Sequence, residues 1–181
     1  MSAPGLRFFT VGHSNRSIAE FLDLLRENEI AYLADVRKLP GSRACPQFDA
    51  EPLRAALGEL QIGYEHIAAL GGRRGRSKEA PSGLNQLWTN RSFHNYADYA
   101  LTPPFRDGFE RLRAMGRTGR VAMMCAEAVW WRRHRRIIAD YLIAAGENVI
   151  HIMSRGRTEP ARLTPGAVAR QDGSVIYPAV D

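Results

Sequence analysis

Residues 8–36 read FFTVGHSNRSIAEFLDLLRENEIAYLADV, and the change of period inside that stretch decides the fold. Phe8 to Val11 is a short apolar run ended by Gly12. From Ser17 onward, Ile18, Phe21, Leu22, Leu24 and Leu25 recur at helical spacing, and Glu20 stands three residues after Ser17, the pattern of a capping box. Ala31 to Val36 is a second apolar run, too short for a helix and bounded by Asn28 and the Pro40-Gly41 turn, so it reads as a buried strand. The order is strand, helix, strand.

The same alternation continues along the chain. Ala50 to Leu60 carries Leu53, Leu57 and Leu60 at helical spacing with Pro52 in the first turn, and a short strand is expected over Gly63 to Ile67. Phe105 to Met115 reads as an amphipathic helix, Arg120 to Cys125 as a strongly apolar strand, Arg132 to Ala145 as a helix stopped by Gly146, and Asn148 to Met153 as the next strand. Residues 71–104 are basic and polar, broken by Gly71, Gly72, Gly75, Pro81 and Gly83 before an aromatic patch of Trp88, Phe93, Tyr96 and Tyr99. That length predicts a functional loop or lid. Residues 156–181 read as a loop-like tail with a hairpin turn at Asp172-Gly173 before Val175 to Tyr177. Together these predict an α/β fold over residues 1–181: one three-layer, Rossmann-like domain whose mainly parallel sheet has helices on both faces.

Composition narrows the function classes. The chain has 181 residues, 45% of them hydrophobic and 24% charged, which is ordinary for a globular domain with one sizeable core. No stretch approaches the roughly 20 apolar residues that span a bilayer, and Met1 to Arg7 lacks the order of a signal peptide, so a cytoplasmic protein with no membrane partner is expected. Two cysteines, Cys45 and Cys125, form no C-x-x-C pair and are expected as free thiols. The formal charge is +6, and arginine is clustered at Arg73, Arg74 and Arg76 and again at Arg132, Arg133, Arg135 and Arg136. Clustered guanidinium forks suit phosphate and carboxylate, which points to an anionic partner; a solvated basic face is the alternative. The oligomeric state is not legible.

In parallel sheets ligands bind beyond the carboxyl ends of the strands. Four loops there are rich in reactive side chains: Gly12 to Arg16 with His13 and Asn15; Asp35 to Arg37; His66 with Gly71, Gly72 and Arg73; and Cys125 to Glu127 followed by His134 and Arg135. The first offers an anion cradle at a helix N-terminus or a capped helix with His13 as packing, and it matches neither nucleotide-binding glycine pattern. Asp35 and Arg37, two apart, either pair with each other or present an acid/base group and a clamp. Cys125 ends an apolar strand ahead of an arginine-rich helix, a setting that activates a thiol, yet a C-x5-R loop is absent because position 131 is Trp131. It is therefore read as nucleophile or as a buried lining residue. Glu127 is placed for acid/base work or as a helix-start acid. Metal ligation is a poor reading, since the histidines show no recurrent i, i+4 spacing, although His13, Asp35, Glu127 and His134 could meet in space; no cofactor is expected.

Several motifs in order resemble one family. Thr10 to Ser17 (TVGHSNRS), Asp35 to Arg37, Pro40 to Arg43 with Pro46 to Phe48, Leu70 to Arg73, Met124 to Glu127, His134 to Leu142, and a tail with Thr164 to Ala167 and Tyr177-Pro178 resemble the domain of unknown function 488 family, essentially end to end. The resemblance implies a single α/β domain with these loops lining one pocket. Family members commonly carry a cysteine just before the His-Arg pair, where this chain has Arg133, so a two-cysteine mechanism is not carried over. The Asp35 and Cys125 strand ends are also similar to rhodanese-type sulfurtransferases, an analogy of fold alone.

The functional expectation is an enzyme of hydrolase type that acts by acid/base chemistry on a nucleobase-bearing or other anionic substrate, free or within nucleic acid. Glu127, Asp35, His13, His134 and Cys125 are the catalytic candidates. Asn15, Arg16, Arg37, Ser42, Phe48, Tyr64, Gly72, Arg73 and Arg135 are the substrate-binding candidates, with the aromatic residues for stacking. A Cys125-dependent sulfurtransferase and a non-catalytic nucleic-acid or small-anion binding module are the alternatives.

Overall fold

Apolar strands buried on both faces need a helix layer on each side, and helices with one apolar stripe supply it. The computed structural model, which describes residues 7–41, 43–81, 83–132 and 134–180, has this architecture. Strands β1 (Phe8–Gly12), β2 (Tyr32–Asp35), β3 (Gly63–His66), β4 (Val121–Cys125), β5 (Val149–Ser154) and β6 (Arg157–Pro160) form one sheet in the order β3-β2-β4-β1-β5-β6. The pairings are parallel except for β5 with β6. The helices are α1 (Ile18–Glu27), α2 (Ala50–Glu59), α3 (Arg91–Tyr99), α4 (Pro103–Thr118) and α5 (Arg135–Ala144), and β7 (Val168–Ala169) with β8 (Val175–Ile176) make a small hairpin.

The layers follow from side-chain alternation. Along β4, Val121, Met123 and Cys125 pack with α3, α4 and α5, whereas Ala122 and Met124 pack with α1 and α2. The α1 start is set by Ser17, whose hydroxyl accepts from the Glu20 amide as the capping pattern predicts. No helix among the described residues is long and apolar enough to cross a membrane.

Three local expectations need correction. Residues 71–104 are not one long loop: Asn90 caps α3 by accepting from the Ser92 and Phe93 amides, and Tyr96, Ala97 and Ala100 are buried along its length. Aromatic residues at helical spacing were read there as a patch. The helix expected from Arg132 begins at Arg135, after a 3-10 turn over Trp130–Arg132. The tail is also less loose than its composition suggests. β6 folds back on β5 through the two-residue Arg155-Gly156 turn, and it was missed because an exposed edge strand reading RTEP carries no apolar alternation. Tyr177 is fully buried, donates to Asp140 Oδ2 at 2.7 Å and receives the Asn85 side-chain oxygen at its amide, so the end of the chain is anchored in the core.

Candidate functional site

The carboxyl end of β2 is built around one buried ion pair. Asp35 is fully buried and accepts from the Arg37 amide, from Arg37 Nε at 2.9 Å, from Arg37 Nη2 at 2.7 Å and from the Tyr64 hydroxyl at 2.6 Å. Arg37 Nη2 also donates to the Phe48 carbonyl. The guanidinium is thereby fixed with its charge held on, burial being outweighed by its hydrogen bonds to Asp35, while its Nη1 has no acceptor among the described residues. Burial and the bond to Asp35 push the Tyr64 hydroxyl far above its ordinary titration range. Asp35 is thus an anchor for Arg37, as in the paired reading of the two residues: its oxygens are committed and it meets no solvent.

The β1 and β4 ends are closed against each other. The parallel ladder continues past both strands, with the His13 amide on the Cys125 carbonyl and the Ser14 amide on the Ala126 carbonyl, each at 2.9 Å. Gly12 is required for this approach, because a Cβ there would collide with the Glu127 carbonyl. The His13, Ser14 and Arg16 amides are thereby used within the fold, and His13 is a packed residue: it is 2% exposed, stacks on Phe48 at 4.5 Å and donates from Nδ1 to the Ser14 carbonyl, burial lowering its pKa. Arg16 is likewise structural, tying Gly12, Met153 and Glu20 together.

The crevice opens instead between β2 and β4, where α2 and α5 leave to opposite faces of the sheet. A cavity of about 430 Å³ lies there, within the range of small-molecule sites. Its wall carries Cys125, Glu127 and His134 together with Arg37, Lys38, Arg73 and Arg132, and Phe93 and Tyr96 close one side. His134 is oriented by its Nε2 bond of 2.7 Å to the Val36 carbonyl. A carbonyl only accepts, so Nε2 bears the proton and Nδ1 is the acceptor nitrogen of the neutral ring. Nδ1 lies over Gly72, where a Cβ would clash with the imidazole. Cys125 directs its thiol toward the Glu127 carbonyl at 3.6 Å.

Behind this wall Arg135 is fully buried, donating from Nη2 to the Glu127 and Ala128 carbonyls and from Nη1 to the Thr10 hydroxyl. Burial lowers its pKa, and Cys125 and Glu127 are the neighbours that favour its charge. It shapes the 125–128 loop from behind and does not line the cavity. Thr10 passes the network to His151, a buried ring stacked on Trp130 at 4.4 Å, whose pKa burial and Arg135 press down to about 3.

The His151 shift has a measurable consequence. An unfolded chain protonates this ring near its ordinary 6.5 while the native state resists until about 3, so the penalty accumulates as pH falls through that window and is absent above it. Urea unfolding at a series of pH values is expected to show wild type losing stability across this window by an amount on the order of a few kcal/mol. His151→Gln should flatten that loss; an unchanged slope would count against the assignment. Asp140, raised by burial, acts in the opposite sense, because the native state takes up its proton before the unfolded chain does as pH falls.

Of the sequence candidates, the structure brings Cys125, Glu127, His134, Arg37, Gly72 and Arg73 onto one wall. Phe48 is fully buried and offers no stacking surface, Tyr64 is spent on Asp35, and Asn15 is exposed away from the cavity. Ser42 lies outside the described residues. Tyr96 and Tyr99 bond the Leu70 and Ala69 carbonyls and so hold α3 in place. Sequence reasoning missed Lys38, Asn90 and Ser92, whose signal was only proximity to Arg37 and to a helix cap. Among the described residues, no group of three His, Cys, Asp or Glu side chains is placed to hold a metal ion.

Fold and site together define a three-layer α/β protein with a cationic cavity at the carboxyl edge of a mainly parallel sheet. The chain belongs to the family described as Domain of unknown function DUF488, which matches residues 17–142. That span runs from the α1 cap into α5, so the Thr10 to Arg16 and tail motifs fall outside it. No curated protein and no solved structure matches the chain.

Proposed function

We propose that the cavity binds a nucleobase-bearing anion and that the protein is an enzyme acting on it by acid/base, hydrolytic chemistry. The observation that carries this reading is the meeting of Glu127, Cys125 and His134 with four cationic side chains in one cavity of about 430 Å³. Arg37, Lys38, Arg73 and Arg132 hold the phosphate, Arg37 from a fixed position and the others from the rim. Phe93 and Tyr96 give the base an apolar wall. Glu127 takes a proton from an attacking water as the water oxygen bonds to the electrophilic atom of the substrate, and it returns that proton to the leaving group as the bond between them breaks; the imidazole of His134, oriented through Val36, positions the water.

Calorimetric titration with nucleoside 5′-monophosphates tests this. Saturable binding is expected, weakened about tenfold or more in Arg73→Ala/Arg132→Ala, since each charge-assisted bond is worth on the order of 1.5–3 kcal/mol. Wild type that binds none of the nucleotides, or a double variant that binds them equally well, would sink the reading.

One observation favours a second reading, a transferase with Cys125 as nucleophile: the thiol lies on the cavity wall with the buried Arg135 guanidinium behind it. Cys125→Ser that keeps full turnover would remove it.

A further inference from the structure

We infer that the substrate enters the cavity as one unit of a single nucleic-acid strand, with the neighbouring backbone lying in a second basic depression; this rests on the cavity reading above. The second depression has a volume of about 340 Å³ and is lined by Arg74, Arg76, Lys78 and Tyr99 among others. Arg73 stands on the wall of the first cavity and Arg74 on that of the second. Consecutive Cα atoms are only about 3.8 Å apart, so the two depressions flank one turn of the chain. Arg73 has φ 57°, a left-handed conformation uncommon outside glycine, and the turn there sends successive arginines to different sides. Arg74 is held rigidly, stacked over Tyr99 at 4.0 Å and donating to the Gly71 and Ala68 carbonyls.

Cations outnumber carboxylates in both depressions. Lys38, Arg73 and Arg132 stand with Arg37 and one carboxylate, Glu127, in the first, and Arg74, Arg76 and Lys78 stand with one carboxylate, Glu79, in the second. Among the described residues, Lys38, Arg73, Arg76, Lys78 and Arg132 have no ion-pair partner. A free mononucleotide has one phosphate group to offer, and cations gathered in two neighbouring depressions exceed what it can neutralise. Exposed apolar side chains next to these cations in the chain point the same way. Leu39, on the cavity wall, is 73% exposed, and Trp131, next to Arg132, is 43% exposed. An exposed indole flanked by arginine is a platform for a neighbouring base, and stacking of that kind is tolerant of sequence. A single strand is favoured over a duplex because a paired base cannot enter a cavity without being extruded.

The test uses the full chain, a short fluorescein-labelled single-stranded oligodeoxynucleotide followed by anisotropy, and a nucleoside 5′-monophosphate followed by calorimetry. Wild type is expected to bind the oligonucleotide at least tenfold more tightly than the mononucleotide. Arg76→Glu/Lys78→Glu, both exposed and away from the cavity, should lose about tenfold in oligonucleotide affinity and make the slope of log K against log salt shallower by about 1.4. Mononucleotide binding should be unchanged, and Trp131→Ala should weaken the oligonucleotide alone. An oligonucleotide that binds no tighter than the mononucleotide, or a charge reversal that alters neither affinity nor slope, would overturn the inference and leave the cavity reading standing. Loss of oligonucleotide binding in the double variant, with no mononucleotide binding by wild type, would support the second depression while sinking the cavity reading.

Discussion

Replacing Asp35 by alanine is expected to cost about 3–5 kcal/mol of folding stability, because it strands the buried Arg37 guanidinium and the Tyr64 hydroxyl at once. The size follows from geometry. Asp35 accepts four hydrogen bonds with no exposure to water, and Arg37 keeps only the Phe48 carbonyl once they are gone. Asp35→Asn should fall between wild type and alanine, since it retains a carbonyl acceptor but not the charge. Urea unfolding checks both. A loss below about 1 kcal/mol, the scale of an exposed pair, would mean that Arg37 finds another acceptor and that the pair does not fix the clamp.

Glu127→Gln is expected to lower turnover by roughly 10²- to 10⁴-fold while leaving the unfolding midpoint near that of wild type. The two readouts separate because different atoms of Glu127 serve different ends. Its backbone carbonyl accepts from Arg135 and from the Cys125 thiol, and substitution of the side chain leaves that carbonyl in place. Glu127 lines the cavity, and the proposed chemistry falls to its carboxylate. A parallel fall in stability and turnover would assign Glu127 a structural role.

Most of the sheet was legible because β1, β2, β4 and β5 are short apolar runs between turn residues, lying where Phe8, Ala31, Arg120 and Asn148 begin those runs. The cap at Ser17 and the hairpin at Asp172-Gly173 rest on local chemistry, and local chemistry is what a sequence displays. β6 was not legible, because an edge strand facing solvent needs no alternation. The site was half legible. Topology alone brought Cys125, Glu127, His134, Arg37, Gly72 and Arg73 to one edge, whereas the fates of Asp35, His13, Arg16 and Arg135 depended on partners far away in the chain. Phe48, Tyr64, Met153 and Thr10 supply those partners, and no spacing rule connects them. Which pair of strands would part to form the crevice also escaped the sequence, since it turns on the continuation of the β1–β4 ladder past Gly12.

The central claim is that acid/base chemistry is carried out in the cavity between β2 and β4, and the most direct test compares wild type with Glu127→Gln and Cys125→Ser. Each is incubated with free nucleotides and with normal and damaged-base oligonucleotides, and products are read by mass spectrometry. Wild type is expected to give a product that persists in Cys125→Ser and is lost in Glu127→Gln. No product from wild type on any of these substrates, or a product that survives in Glu127→Gln and disappears in Cys125→Ser, would contradict it.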